Sequence, residues 1–417
     1  MRMPLPFFLF SLALSCTDRV ESLQGGTLGN GNVDAGPSGL DGGIAIPTDA
    51  GFTSIPANVF DTNALPVAGN IYTLFSNNRT PRPAMQGPAH TLVWTGRRYV
   101  AAWIENRGQE GLVVVAQSFD PADPLTRERV SLSQSTGVPA DNPTGAPVAL
   151  AVPGGVRVAW STERGVWLAK LDELGALLDA APVLGVQGSM QLQWLDGPRG
   201  PRLVVRPALV GERAVMWTRS LDLSGPDIWW EGGATDQLGF FPGSDDGVVQ
   251  LVSARSAGGT DVLSIVRWDA DLDATDAAQV VYEGDSAAFT AGAWAGSTLW
   301  ATLWDHDRGR FLVTPLEDQR IQVGPAGLNR TGLVAEPGGE RLVLVHEEGR
   351  TPDGNLPTDL KIQPYDGQRG ARAAVRSLPG CVEAWQVAAR ADRVGVSWVD
   401  SCSQRQLMFT EVGAVQR

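Results

Sequence analysis

The sequence predicts an all-β chain in which one unit repeats seven times. Beyond residue 85 the chain consists of short apolar runs separated by turns rich in Gly, Asp, Pro and Arg, and this alternation is typical of strands joined by tight turns. An acidic residue that follows an apolar or aromatic one also returns at intervals of about 45 to 52 residues, a period found in repeat proteins. No segment carries a helical apolar stripe of more than about three turns.

The repeating acids divide the chain into copies with one order of strands. They are Asp120, Asp172, Asp222, Asp269, Glu317, Asp366 and, in a looser copy, Glu411. In the first copy we expect four strands, at residues 91–94, 99–104, 112–119 and 130–132. Four strands per copy and a period near 50 residues are typical of a β-propeller blade. The predicted fold is therefore a seven-bladed β-propeller of four-stranded antiparallel blades.

The last copy lacks its outermost strand. It ends after the third strand, at residues 406–410, whereas residues 71–75 form an apolar run ahead of the first copy. The distance from this run to the first copy resembles that from a fourth strand to the next copy elsewhere. We expect this N-terminal strand to complete the seventh blade and close the ring.

The repeating acids are expected to form turns rather than a catalytic or metal site. Each lies where a third strand enters its turn, and aspartate is favoured there because its side chain bonds its own backbone. The densest cluster is Asp269, Asp271, Asp273 and Asp276. It resembles the first half of a calcium loop, but Ala274 and Val280 replace the glycine and bidentate glutamate that such a loop needs. No metal or cofactor is predicted.

The N-terminus has the layout of an export signal. Arg2 precedes an apolar run, residues 4–15, that is too short to span a bilayer. The run ends in Leu12-Ala13-Leu14-Ser15-Cys16, which resembles the lipobox of bacterial lipoproteins, although Ala13 stands where leucine is usual. The resemblance implies that Cys16 is acylated and anchors the chain to a membrane. A signal peptide cleaved nearby, with Cys16 incidental, is the alternative.

Three regions follow from these patterns: residues 1–16 as signal and lipidation site, 17–55 as a flexible tether, and 56–417 as the propeller. The tether is rich in Gly and Asp and offers too little apolar surface to offset the entropy of ordering. A coil of this composition and length reaches about 30 Å on average. We expect the protein to be anchored to the outer membrane of a bacterial cell envelope, facing the periplasm or the surface.

Charge and motifs exclude several function classes. The net charge is -13, which argues against nucleic acid as a partner, because binding phosphates needs clustered cations. The chain contains neither the Gly-x-Ser-x-Gly motif of many hydrolases nor the Gly-x-x-x-x-Gly-Lys phosphate loop. Its three histidines, His90, His306 and His346, lack the spacing of metal ligands.

Charged residues collect between the second and third strands of the copies. This candidate binding rim comprises Glu105, Arg107, Glu163, Arg164, Asp305, His306, Asp307, Glu347, Glu348 and Asp400. The loops should share one face of the ring and surround one mouth of its channel, where propellers usually bind ligands; a solvated rim without a ligand is the alternative. Trp103, Trp160, Trp304 and Trp398 precede these loops, and we expect them to fill the core between blades.

The two cysteines after Cys16 are expected to pair. Cys381 and Cys402 lie equally far from the predicted turn at Ala391 and Asp392 in the last copy. An antiparallel hairpin would place them opposite each other, and an exported protein folds where disulfides persist.

These features favour a monomeric, lipid-anchored propeller that acts as a binding or scaffolding module for a protein or glycan. The alternative is an envelope glycoside hydrolase or lyase that uses two carboxylates among Glu105, Glu163, Asp305 and Glu347. Such an enzyme needs two carboxyl groups about 5 to 10 Å apart in one cleft.

Overall fold

A computed structural model describes a large part of the chain between residues 71 and 413. The described residues are 71–75, 90–107, 111–133, 142–184, 190–197, 200–207, 214–220, 228–232, 236–242, 248–255, 260–269, 278–284, 287–305, 307–316, 319–324, 331–335, 341–348, 359–366, 376–379, 381–390, 393–400 and 406–413. All of them belong to the compact unit Phe52–Arg417. The predicted signal, Cys16 and most of the tether precede that unit, and the whole tether lies outside the described residues.

The described residues form only strands and turns, and the strands pair into seven four-stranded antiparallel sheets. The first strand in the chain, β1, is Tyr72–Phe75. Sheet I contains β2 (His90–Trp94), β3 (Tyr99–Asn106), β4 (Leu112–Asp120) and β5 (Asp123–Ser131). Sheet II contains β6 (Val148–Val152), β7 (Gly155–Thr162), β8 (Gly165–Leu171) and β9 (Leu177–Leu184). Sheet III contains β10 (Met190–Gly197), β11 (Gly200–Pro207), β12 (Ala214–Ser220) and β13 (Ile228–Gly232).

The remaining sheets repeat the same meander. Sheet IV contains β14 (Asp236–Pro242), β15 (Val248–Arg255), β16 (Asp261–Trp268) and β17 (Gln279–Gly284). Sheet V contains β18 (Ala287–Ala295), β19 (Thr298–Asp305), β20 (Gly309–Thr314) and β21 (Gln319–Gly324). Sheet VI contains β22 (Thr331–Ala335), β23 (Arg341–Glu348), β24 (Asp359–Asp366) and β25 (Arg376–Pro379). Sheet VII contains β26 (Val382–Arg390), β27 (Arg393–Asp400) and β28 (Gln406–Gly413), and β1 is its fourth strand.

Sheet VII joins the two ends of the described chain. Strand β1 pairs antiparallel with β28, with Tyr72 opposite Phe409 and Thr73 opposite Met408. Leu74 on β1 is fully buried in a core cluster that also contains Leu407 and Phe409. The N-terminal run therefore occupies the edge position that the sequence left open.

The first strands of successive sheets lie next to one another. Contacts join β2 to β6, β6 to β10, β10 to β14, β14 to β18, β18 to β22 and β22 to β26, and β26 also contacts β2. The core lies between the sheets, and its largest fully buried side chains include Trp103, Trp160, Trp300 and Trp398. Trp304 of β19 is only partly buried, whereas Trp300 of the same strand is fully buried.

At three junctions between neighbouring sheets, a glycine of one sheet leaves room for an aromatic ring of the other sheet. A Cβ atom on Gly395 of β27 would lie 2.5 Å from the Tyr99 ring of sheet I. In the same way, Gly332 of sheet VI faces the Trp385 ring of sheet VII, and Gly292 of sheet V faces the Phe241 ring of sheet IV. Since a Cβ atom cannot approach an aromatic carbon so closely, these positions require glycine for steric reasons.

Candidate functional site

The residues of the predicted rim lie where second strands end and third strands begin. Those described are on β3 and the residues after it, on the turns between β7 and β8 and between β19 and β20, and at the ends of β23 and β27. His306 lies outside the described residues. Some of these acids are buried and hydrogen-bonded, and others are exposed.

Glu105 near the end of β3 is buried. Its carboxylate accepts from the Arg107 Nε atom at 3.2 Å and also pairs with the Arg129 guanidinium of β5. The Arg129 guanidinium lies 5.8 Å from the centre of the Trp103 ring, and partial burial lowers the pKa of Arg129. Glu105 therefore holds the edge of sheet I together rather than facing a ligand.

Asp305 is also buried, and its two carboxylate oxygens accept hydrogen bonds from different groups. Its Oδ1 atom accepts the backbone N–H groups of Asp307 at 2.9 Å and Arg308 at 2.8 Å, which closes the turn after β19. Its Oδ2 atom accepts from the Tyr282 hydroxyl of β17, so it also joins sheet V to sheet IV. Burial, followed by this bond to Asp305, raises the pKa of Tyr282 to about 12.

Glu347 near the end of β23 joins sheets VI and VII. It is buried, and its Oε1 atom accepts from the Trp385 indole N–H at 2.9 Å. A buried carboxylate is tolerated where donors satisfy it. The sequence pattern predicted that Glu105, Asp305 and Glu347 would lie in exposed loops around the mouth of the channel. Each is buried instead, because a neighbouring side chain donates a hydrogen bond to its carboxylate.

Other members of the rim remain exposed. Glu163 and Arg164 form the exposed tip between β7 and β8. Thr162 holds this tip, since its hydroxyl accepts from the Arg164 N–H at 3.3 Å and donates to the Gly165 carbonyl at 3.2 Å. Asp307 and Arg308 are exposed in the turn that Asp305 closes. Sheets II and V thus each present an acidic and a basic residue side by side on a fixed turn.

Two of the repeating acids, Asp120 and Asp172, act as turn residues. The Asp120 Oδ1 atom accepts from the Ala122 N–H at 2.8 Å. The Asp172 Oδ1 atom accepts from the N–H groups of Leu174 at 2.9 Å and Ala176 at 2.8 Å. The turn interpretation is confirmed for these two acids, whereas Asp222, Glu317 and the cluster from residue 271 to 276 lie outside the described residues.

Glu411 departs from the repeat. It lies within β28, nearly buried, and its Oε1 atom accepts from the Tyr99 hydroxyl at 3.1 Å and from Arg390 Nη1 at 3.1 Å. Arg393 Nη1 lies 3.7 Å from its Oε2 atom. The side chain therefore joins the last sheet to the first instead of closing a turn.

A cleft of about 590 Å³ opens beside Glu411 between sheets I and VII. Its lining residues are Trp94, Gly96, Arg97, Asp120, Pro121, Ala122, Arg390, Arg393 and Glu411. They come from the turn between the first and second strands of each of these sheets, from the turn between the third and fourth strands of sheet I, and from β28. Since consecutive antiparallel strands reverse direction, the cleft lies at the opposite end of the strands from the predicted rim. No local sequence pattern predicts this cleft.

His90 on β2 provides a test of the junction between sheets I and VII. It is fully buried with its Nε2 atom 2.8 Å from the Ser397 hydroxyl, and burial lowers its pKa from 6.5 to about 4. The unfolded chain then binds a proton at this histidine more tightly than the folded chain does. The free energy of unfolding should therefore fall by about 3 kcal/mol in total as the pH drops from about 6.5 to 4. His90→Gln should remove most of this pH dependence.

Denaturant melts of wild type and His90→Gln between pH 4 and 7 measure that difference directly. Histidine NMR adds an independent readout, because the chain has three histidines and one of them should stay neutral at pH 5. Three histidines that all titrate near pH 6.5 would contradict the buried junction.

Cys381 lies immediately before β26. Cys402 lies outside the described residues. Arg390 pairs with Arg393 across the hairpin, but a bulge between Val382 and Ala384 shifts the register, so that Val382 pairs with Asp400. The pairing of Cys381 with Cys402 remains a prediction.

Neither a metal site nor a membrane-spanning helix is found in the described part of the chain. No three His, Cys, Asp or Glu side chains are grouped there as metal ligands would be. None of those residues forms a helix long and apolar enough to cross a membrane.

Comparison with known proteins supports the class of fold. No known protein family and no curated protein matches the chain. Among solved structures it is similar to a puromycin-hydrolyzing peptidase of Mycobacterium tuberculosis, with 16% identity and a TM-score of 0.50 over 82% of this chain and 56% of the peptidase. The β-propeller domain of the Trilobed protease from Pyrococcus furiosus gives 10% identity and a TM-score of 0.48 over 76% of this chain and 91% of that domain.

At such identities the likeness concerns the fold alone. The chain spans little more than half of the peptidase, so the activity of that enzyme does not transfer with the fold. Its seven four-stranded meanders and the likeness to the peptidase make the chain an all-β protein of the β-propeller type.

Proposed function

We propose that this protein is a closed seven-bladed propeller that binds a protein or glycan at the bacterial cell envelope. Two observations support the closed ring: β26 of sheet VII contacts β2 of sheet I, and β1 pairs with β28. The lipobox-like sequence ending at Cys16 supports export and lipid anchoring, with the tether holding the propeller near the outer membrane. The folded ring acts as a monomer.

The ligand binds at the end of the sheets that carries the exposed charged turns. The observation behind this is that Glu163 with Arg164, and Asp307 with Arg308, are exposed on turns whose bases are fixed by Thr162 and Asp305. Exposed side chains on a rigid scaffold can bind a partner without a large cost of ordering. Paired charges of both signs suit a polar partner, such as a protein surface or a glycan.

A binding role agrees better with the geometry than hydrolysis does. Of the four carboxylates considered for catalysis, Glu105, Asp305 and Glu347 are each buried and bonded to an internal donor. A glycosidase instead directs two carboxyl groups at one substrate bond. The likeness to a peptidase fold brings no nucleophile with it, since the chain lacks the Gly-x-Ser-x-Gly motif.

Removing the exposed charges tests the binding end. A variant with Glu163→Gln, Arg164→Gln, Asp307→Asn and Arg308→Gln should lose at least about tenfold of its affinity in an envelope pull-down and on a glycan array, since each polar contact contributes about 1 kcal/mol. Glu173→Gln is the matched control, because Glu173 is exposed on the turn after a third strand, at the other end of sheet II. Equal retention by wild type and the four-site variant would contradict this location.

Lipid anchoring has its own test. Mass spectrometry of the N-terminal peptide from exported protein should find acyl chains on Cys16, and Cys16→Ala should move the protein from the membrane fraction to the soluble one. An unmodified Cys16, or a chain cleaved beyond it, would overturn the anchor but leave the binding proposal standing.

A further inference from the structure

The cleft between sheets I and VII is a second site, separate from the charged turns at the opposite end. We propose that it binds the anionic group, a carboxylate or a phosphate, of a small ligand. The proposal goes beyond the binding role given above and does not depend on it.

Among the described residues that line the cleft, cationic side chains outnumber carboxylates. Three guanidinium groups, those of Arg97, Arg390 and Arg393, line it together with the carboxylates of Asp120 and Glu411. The chain as a whole carries a net charge of -13. A group of cations in a cleft attracts anions, because the local potential there opposes the negative potential that the net charge of the chain produces.

The carboxylates of the cleft are already engaged. The Glu411 Oε1 atom accepts from both Tyr99 and Arg390, and the Asp120 Oδ1 atom accepts from a backbone N–H of its own turn. Glu411 thus pairs with Arg390 at 3.1 Å and lies 3.7 Å from Arg393. Arg97 is exposed and makes no ion pair with another residue in the described part of the chain. Arg97 therefore brings a positive charge to the cleft that a ligand can neutralise.

Two of the three arginines, Arg390 and Arg393, are held in place before a ligand arrives. The Arg390 guanidinium lies 5.1 Å from the centre of the Trp94 ring and is tied to Glu411 at 3.1 Å, which fixes its plane. Arg393 is anchored to the same carboxylate, yet 45% of its side chain is exposed. Guanidinium groups bind carboxylates and phosphates through paired N–H donors, and little side-chain entropy is lost when these donors are already positioned.

The size and walls of the cleft define the ligand further. Its volume of about 590 Å³ lies within the range of small-molecule sites. Trp94, Pro121 and Ala122 supply apolar wall beside the arginines. The ligand is thus a small molecule that joins an anionic group to an apolar portion.

Isothermal titration of the full-length protein in detergent tests the site with inorganic phosphate, phenyl phosphate, succinate and benzoate, and with glycerol as an uncharged probe. We expect anions to bind, glycerol not to bind, and the phenyl-bearing anions to bind more tightly than phosphate or succinate. Comparison of the phosphates with the carboxylates identifies which anion the cleft prefers. No detectable binding of any anion overturns the proposal.

Two isosteric substitutions, each of which removes one charge, then test whether the anion binds in the cleft. Arg97→Gln should weaken binding about tenfold, whereas Asp120→Asn should strengthen it several-fold, because asparagine still accepts the Ala122 N–H while the negative charge is lost. Arg267→Gln, at an exposed arginine on β16 of sheet IV, is the matched control and should change nothing. If Arg97→Gln and Asp120→Asn leave the affinity unchanged, or both move it in one direction, the cleft is not the anion site.

Discussion

Leu74→Asp is expected to lower the free energy of unfolding by about 4 kcal/mol or more, the largest effect of any single substitution considered for this protein. Leu74 is fully buried on β1 within a cluster containing Leu407 and Phe409. Aspartate there would remove apolar contacts and bury an unpaired charge, and both changes belong to the most destabilising class. The edge of β28 would then lose its partner strand. Denaturant unfolding followed by tryptophan fluorescence measures the difference.

Ile71→Asp is the matched control for that variant. Ile71 precedes β1 by one residue and is 44% exposed, so the same substitution should change stability by less than about 0.5 kcal/mol. Equal and small effects of the two substitutions would show that β1 does not pack against sheet VII.

Gly395→Ala should cost about 3 kcal/mol, at the upper end of the range for overpacking a core. The new methyl group would lie 2.5 Å from the Tyr99 ring, and that ring is itself fixed among Trp94, Phe119 and Phe409 with centroid distances of 4.8 to 5.8 Å. The ring has little room to move, because its hydroxyl also donates to Glu411. The loss should appear as a lower denaturant midpoint with an unchanged slope.

A double-mutant cycle tests whether the loss of stability comes from this clash or would follow any substitution in β27. Tyr99→Ala removes the ring, so Gly395→Ala should cost far less in that background, with a coupling of about 2 kcal/mol. Additive losses would mean that Tyr99 and Gly395 do not meet across the junction of sheets I and VII.

The repeat could be predicted from the sequence because the strands of each sheet are consecutive in the chain. Each meander depends on runs and turns close together in the chain, so the strands of the first copy were predicted to within a few residues of β2, β3 and β4. The outer strand β5 was predicted at residues 130–132 and instead begins at Asp123. Its charged residues hid it, since an edge strand needs no continuous apolar pattern. The partner of β28 could be predicted only because the last copy lacked an outer strand and an additional apolar run preceded the first copy.

The candidate sites show where the sequence falls short. Charge at a loop predicts exposure, but Glu105, Asp305 and Glu347 are buried because Arg129, Tyr282 and Trp385 supply donors, and the last two of these come from neighbouring sheets. No local pattern reveals such partners. The cleft was missed for the same reason, since Arg97 and Arg390 lie far apart in the chain and meet only where sheets I and VII adjoin.

A designed cross-link between β1 and β28 tests the closed ring most directly. The Thr73 hydroxyl lies 3.6 Å from the Met408 sulfur, and the two residues pair across the strands. In Thr73→Cys/Met408→Cys, mild oxidation followed by peptide mapping without reduction should recover residues 73 and 408 joined by a disulfide within a monomer. Free thiols at both positions, or a link formed only between two molecules, would contradict closure of the propeller by its own N-terminal strand.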